Sequence, residues 1–232
     1  TGSYGIDSRI EPLITTDEEE YLRDAAELLA EEDREGAIEL YENASILPES
    51  PAMLFSLASL KFETGQFEEA RESFGAALKA FPNFRDAHRN LAMTLIQLDE
   101  LEKAETALIR AVELGARDGV TLGMLGYCHA TDGDHQAALQ SYRQAQITMP
   151  DEMEWRLGEA QSLRELGQTK LAVGLYRELL KQTPTNAPLW LNLAFSLQQL
   201  GDHRAAIQTL EVARALDEIN ARSLLSLGHL YL

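Results

Sequence analysis

Residues 51–82 read PAMLFSLASLKFETGQFEEARESFGAALKAFP, and this stretch decides the fold. It breaks at Gly65-Gln66 into two helical runs. Leu54, Leu57, Ala58 and Phe62 recur at helical spacing in the first, and Phe67, Ala70, Phe74, Ala77 and Leu78 in the second. Two short helices alone leave most of such stripes wet, so neither is stable by itself. The pair needs neighbours, and the chain supplies copies of itself.

Alanine heads the second-helix stripe at Ala37, Ala70, Ala104, Ala138, Ala172 and Ala206, with steps of 33 and then 34 four times. Four residues on stand Tyr41, Phe74, Leu108, Tyr142, Tyr176 and Leu210. Three further on come Ala44, Ala77, Ala111, Ala145, Leu179 and Ala213. A small residue marks every first helix, at Ala25, Ala58, Ala92, Gly126, Ala160, Ala194 and Gly228. Pro48, Pro82, Pro150 and Pro184 close four of the units. Small residues let helix axes approach, a large one fills the groove opposite, and proline stops the helix where the chain turns.

This pattern resembles the tetratricopeptide repeat, a helix–turn–helix unit marked by W..LG..Y, A...F and P. The second unit matches as L..LA...F, and the sixth as W..LA at Trp190, Leu193 and Ala194. The resemblance covers residues 18–232 and implies an all-α, right-handed solenoid of stacked repeats.

The units expected are 18–50, 51–84, 85–118, 119–152, 153–186 and 187–220, with a half-repeat at 221–232. Residues 1–17 lack periodicity and read as a flexible lead, with Thr16 or Asp17 capping the first helix. The half-repeat face LLSLGHLYL wants a partner helix, so the natural chain is expected to continue, and weak self-association through 221–232 is expected without it. Two joints depart from the pattern. Ala116 replaces the closing proline in GARDG, and with Gly115, Gly119 and Gly123 this predicts the softest joint. In the fifth unit, Glu159 stands where Leu57, Leu91, Leu125, Leu193 and Leu227 stand elsewhere, and Trp155 comes one place early. A slightly rotated helix is favoured here over a buried partner for Glu159.

Composition excludes several classes of function. Net charge is −18, and residues 1–50 alone hold 15 acidic against 3 basic side chains. Nucleic acid needs clustered Lys and Arg, so none is expected as a partner, and anionic membrane surfaces are disfavoured likewise. The acidic start reads as a solvated cap on the first repeat. No apolar run is long enough to insert in a membrane. A soluble chain is expected, with the cytoplasm favoured over a periplasmic or secreted setting. The single Cys128 sits where Leu60, Thr94, Ser162 and Ser196 sit in other units and reads as core. The histidines show no metal spacing, and no nucleotide loop or nucleophile elbow occurs. No catalytic constellation is present, so no enzyme and no cofactor is expected.

What remains is the surface. In the family that this chain resembles, peptides bind on the concave face through set first-helix positions. Carried over one by one, these are Phe55, Ser59 and Phe62 in the second unit, and Arg89, Asn90 and Met93 in the third. Tyr127 follows in the fourth, Leu157 and Gln161 in the fifth, and Leu191, Asn192 and Phe195 in the sixth. The carboxylate-clamp pattern fails, because Phe55 and Ser59 stand where Lys and Asn are wanted. The groove reads as apolar, with Arg89 its chief cation. The expected function is a protein-interaction scaffold for an extended or helical peptide. Two alternatives stay open: a targeting module of an enzyme lying beyond residue 232, and a self-assembling scaffold.

Overall fold

A computed structural model describes residues 9–44 and 46–216, and among these it is all helix, with no strand. The half-repeat at 221–232, with its expected self-association, lies outside the described residues, as does the start of the lead. The chain divides into two compact units, residues 1–117 and 118–232. The first holds α1 (Thr16–Ala30), α2 (Arg34–Glu42), α3 (Pro51–Glu63), α4 (Phe67–Ala80), α5 (Arg85–Gln97) and α6 (Leu101–Glu113). The second holds α7 (Gly119–Asp132), α8 (His135–Thr148), α9 (Met153–Glu165), α10 (Thr169–Gln182), α11 (Ala187–Gln199) and α12 (His203–Ala215).

Within each unit the repeat markers form the core. Ala25, Ala58, Ala92, Ala160 and Ala194 are buried on the first helices, and Ala37, Ala70, Ala104, Ala138, Ala172 and Ala206 on the second. Tyr41, Phe74, Leu108, Tyr142, Tyr176 and Leu210 are buried against them. Each such side chain contributes about 1.5–3 kcal/mol by leaving water. The turn inside each pair needs one left-handed residue, supplied by Gly65, Gly133, Gly167 and Gly201 in four pairs. Glu32 and Asp99 take that conformation in the other two, where an L side chain costs about 1–2 kcal/mol.

The first helix starts one residue earlier than expected, and its cap is Thr15. Thr15 and Glu18 form a reciprocal capping box, the Thr15 N–H donating to Glu18 Oε2 at 2.6 Å. The other Glu18 oxygen accepts from the Ser50 hydroxyl, whose oxygen accepts the Met53 N–H at 3.1 Å. One buried carboxylate therefore ties α1 to the start of α3. Burial raises the Glu18 pKa, but the Ser50 and Thr15 hydrogen bonds outweigh it and hold the carboxyl below its usual value of 4.5. Folding lowers this pKa, so the stabilisation is complete above the unfolded value and lost as pH falls through the folded one. Ser50→Ala is expected to cost about 1–3 kcal/mol at neutral pH. Urea melts should show the gap to the parent narrowing in acid, and equal melts at neutral pH would remove this linkage.

In the second unit, three helix glycines make room for rings. Tyr142 of α8 lies between Gly126 of α7 and Gly158 of α9, and a Cβ at Gly158 would fall 2.3 Å from its ring. Trp155 of α9 covers Gly123, where a Cβ would fall 2.4 Å from the indole, and stacks on Tyr142 at 6.4 Å. Met149 fills the space at Gly119 in the same way. Gly119 and Gly123, expected to loosen their joint, are thus buried packing sites. Of that group only Gly115, at φ +98°, has open surroundings. Trp155 Nε1 is buried without a hydrogen-bond partner among the described residues.

Glu159 departs from the favoured expectation. It is buried and partnered, accepting from Arg143 Nε at 2.8 Å and from Gln146 Nε2 at 2.9 Å. A charged residue replaces leucine here because α8 supplies two donors.

Candidate peptide-binding groove

None of the predicted groove residues falls in the fully buried core. In the first unit, α3 carries Phe55, Ser59 and Phe62, and α5 carries Arg89, Asn90 and Met93, all half-buried. Phe55 lies 4.8 Å from Phe84 and 5.7 Å from Phe74 between ring centroids, and Phe62 meets Phe67 edge-on at 5.4 Å. Both rings therefore pack partly against the core and stay partly exposed. The Ser59 hydroxyl donates to the Phe55 carbonyl at 2.9 Å, which turns it from the surface. Arg89 Nε donates to Asn90 Oδ1 at a long 3.5 Å.

In the second unit, Tyr127 of α7 is 45% exposed and Gln161 of α9 is exposed. Leu157 packs on the α9–α11 core and Leu191 against Ala194 and Leu210. Asn192 and Phe195 of α11 come together around an open cleft of about 500 Å³. Tyr127, Leu157, Gln161 and Leu191 do not line it. Arg164, Glu165, Gln198 and Gln199 complete the wall.

Arg164 is the side chain that sequence reasoning missed. Its guanidinium donates to Asn192 Oδ1 at 3.2 Å and to Glu165 Oε1 at 2.9 Å. It occupies the last turn of a first helix, where the family pattern also has contact positions, and that spacing was its signal. Burial pushes the Tyr176 hydroxyl up to about 12, with Arg164 opposing. The cleft thus offers one cation, paired with the Glu165 carboxylate, together with three amide side chains and an aromatic ring. These can hold a peptide carbonyl or carboxylate beside an apolar side chain. Among the described residues no group of His, Cys, Asp or Glu is placed to hold a metal ion, and no helix is long and apolar enough to cross a membrane.

Known proteins share this architecture. Two family profiles described as tetratricopeptide repeat match the chain, one over residues 55–119 and the other over 28–75 and 163–227. The Arabidopsis thaliana N-terminal acetyltransferase A complex auxiliary subunit NAA15 is 24% identical over 165 residues, or 71% of this chain and 18% of that protein. The Mus musculus BBSome complex member BBS4 is 24% identical over 231 residues, or 84% of this chain and 44% of that protein. The chain therefore spans less than half the length of either relative. Among solved structures, YrrB, a TPR protein with an unusual peptide-binding site, superposes with a TM-score of 0.71 at 19% identity. That likeness covers 83% of this chain and 96% of YrrB, and at such identity it speaks for the fold alone. With the repeat markers buried in pair after pair and two profiles matching along its length, the chain belongs to the tetratricopeptide repeat family.

Proposed function

We propose that this chain is a protein-interaction scaffold that seats a peptide segment of a partner on its first-helix faces. The observation that carries this reading is the cleft where Asn192 and Phe195 meet Arg164, because it combines an aromatic anchor with backbone-grade hydrogen-bonding groups. Both curated relatives are named as members of multi-subunit complexes, which supports a role as a docking subunit. The peptide presents an apolar side chain to Phe195, and a carbonyl or acidic group to Arg164 and Asn192.

Peptides selected from a random display library on the parent chain provide the probe. Phe195→Ala should weaken the best binders by about 2 kcal/mol, or about thirtyfold. Arg164→Ala should cost under about 1 kcal/mol and flatten the salt dependence. Glu72→Ala on α4 is exposed and should change nothing. Parent-like binding by the Phe195→Ala chain would place the peptide elsewhere.

A further inference from the structure

A second groove lies on the opposite side of α5 from Arg89, Asn90 and Met93. His88, Leu91 and Leu95 project there, half a helical turn away from the first set. The groove runs between α4 and α6 over α5, holds about 700 Å³ and is open to solvent. Its floor is Leu78, Leu91, Leu95 and Ala107. Arg71, Lys103 and Arg110 rim it, and no carboxylate is among the lining residues.

A matching valley in the second unit acts as an internal control. Between α10, α11 and α12 it holds only about 370 Å³. There Trp190 takes the place of His88, and Arg177 that of Gly75. His88 Nε2 hydrogen-bonds the Pro82 carbonyl at 2.9 Å, as Trp190 Nε1 does the Pro184 carbonyl at 2.8 Å. The smaller ring keeps the structural bond and gives up the volume. At Gly75 a Cβ would meet nothing within 4 Å, so that side of the valley is empty as well.

We propose that this groove docks an acidic amphipathic helix of a partner protein, independently of the first-helix surface. Three features select that occupant. The walls are helices whose backbone groups are already paired, so an extended peptide would find no main-chain donors there, whereas a helix satisfies its own. From Arg71 to its end at Ala80, α4 offers a wall about 14 Å long, enough for about two and a half turns of helix. Charge is the third. On α6, Lys103 and Arg110 stand two turns apart with Thr106 and Ala107 between them on one face. Glu100 bridges Arg71 and Lys103, leaving two cations to one carboxylate at that end. Arg110 is held by Asn83 and by an exposed Glu113, a surface pair that an incoming carboxylate can replace. The complement is a helix with Glu-x-x-Leu-Leu-x-x-Glu along one face, on a chain whose own surface is otherwise acidic.

The probe is a fluorescein-labelled, side-chain-stapled helix carrying that pattern, titrated by anisotropy into the full chain. Saturable binding in the micromolar range is expected, as suits a small transient interface. Gly75→Phe fills the groove and should weaken binding about tenfold or more, while the variant melts no lower than the parent. Lys103→Gln with Arg110→Gln should weaken it severalfold and flatten its salt dependence. Phe195→Ala should bind the probe as the parent does, which separates this site from the first-helix surface. Equal affinity for a probe with both Glu changed to Lys would overturn the proposal, as would parent-like binding by Gly75→Phe. So would an absence of saturation up to about millimolar chain, since even weak specific docking is measurable there. A dimer of the chain alone, lost in Gly75→Phe, would assign the groove to a second copy and overturn the partner helix.

Discussion

Gly158→Ala is expected to destabilise this chain, although alanine is the better helix former by about 1 kcal/mol. The sign follows from the neighbour. A Cβ at Gly158 would stand 2.3 Å from the Tyr142 ring, which Gly126 confines from the other side, with a Cβ there at 2.8 Å. Tyr142 is 4% exposed and stacks on Trp155, so it has nowhere to retreat. Overpacking of this kind costs about 1–3 kcal/mol, which exceeds the gain in propensity. Gly174 is the control: it lies mid-helix in α10 of the same unit, and a Cβ there would meet nothing within 4 Å. Gly174→Ala should raise stability by about 0.5–1 kcal/mol. Thermal melts should move in opposite directions, by about 2–4 °C per kcal/mol. If both substitutions stabilise, Tyr142 is not confined as described.

Arg143→Ala is expected to cost more than the loss of Glu159 itself. The Glu159 side chain is 11% exposed, and Arg143 gives it one of its two donors. Removing the guanidinium leaves a buried carboxylate underpartnered, a loss of about 1–3 kcal/mol. Arg143 is itself 54% exposed, so water supplies part of the lost bond and the lower half of that range is expected. Glu159→Leu, by contrast, restores the residue found at Leu57, Leu125 and Leu193, each buried in its own repeat. Replacing a buried ion pair with a fitting apolar side chain is neutral or stabilising in many cases. The double variant should therefore match Glu159→Leu alone, with the Arg143 penalty abolished. Denaturant titrations of the four chains measure that coupling. Simple additivity of the two effects would show that the pair is not coupled.

The repeat architecture was legible in the chain alone because its determinants are local and periodic. Alanine at Ala37, Ala70 and their successors, with a ring or leucine four residues on, fixes which helix face is buried wherever the neighbour lies. The proposed groove residues could be named as positions from the repeat register, and among them Tyr127 and Gln161 are exposed while the others are half-buried. What crosses between helices was not legible. Glu159 read as an anomaly until α8 placed Arg143 and Gln146 beside it, and Gly123 read as softness until Trp155 covered it. Glu18 read as one more surface charge, yet Ser50 binds it from 32 residues away. The cleft around Arg164 and the valley beside Gly75 likewise took shape only once neighbouring repeats stood together. Close packing conserves the summed volume and the paired polarity of touching side chains, so a missing Cβ on one helix becomes a ring on the next. Periodicity determines that two faces meet, and only the tertiary structure decides which atoms fill the space between them.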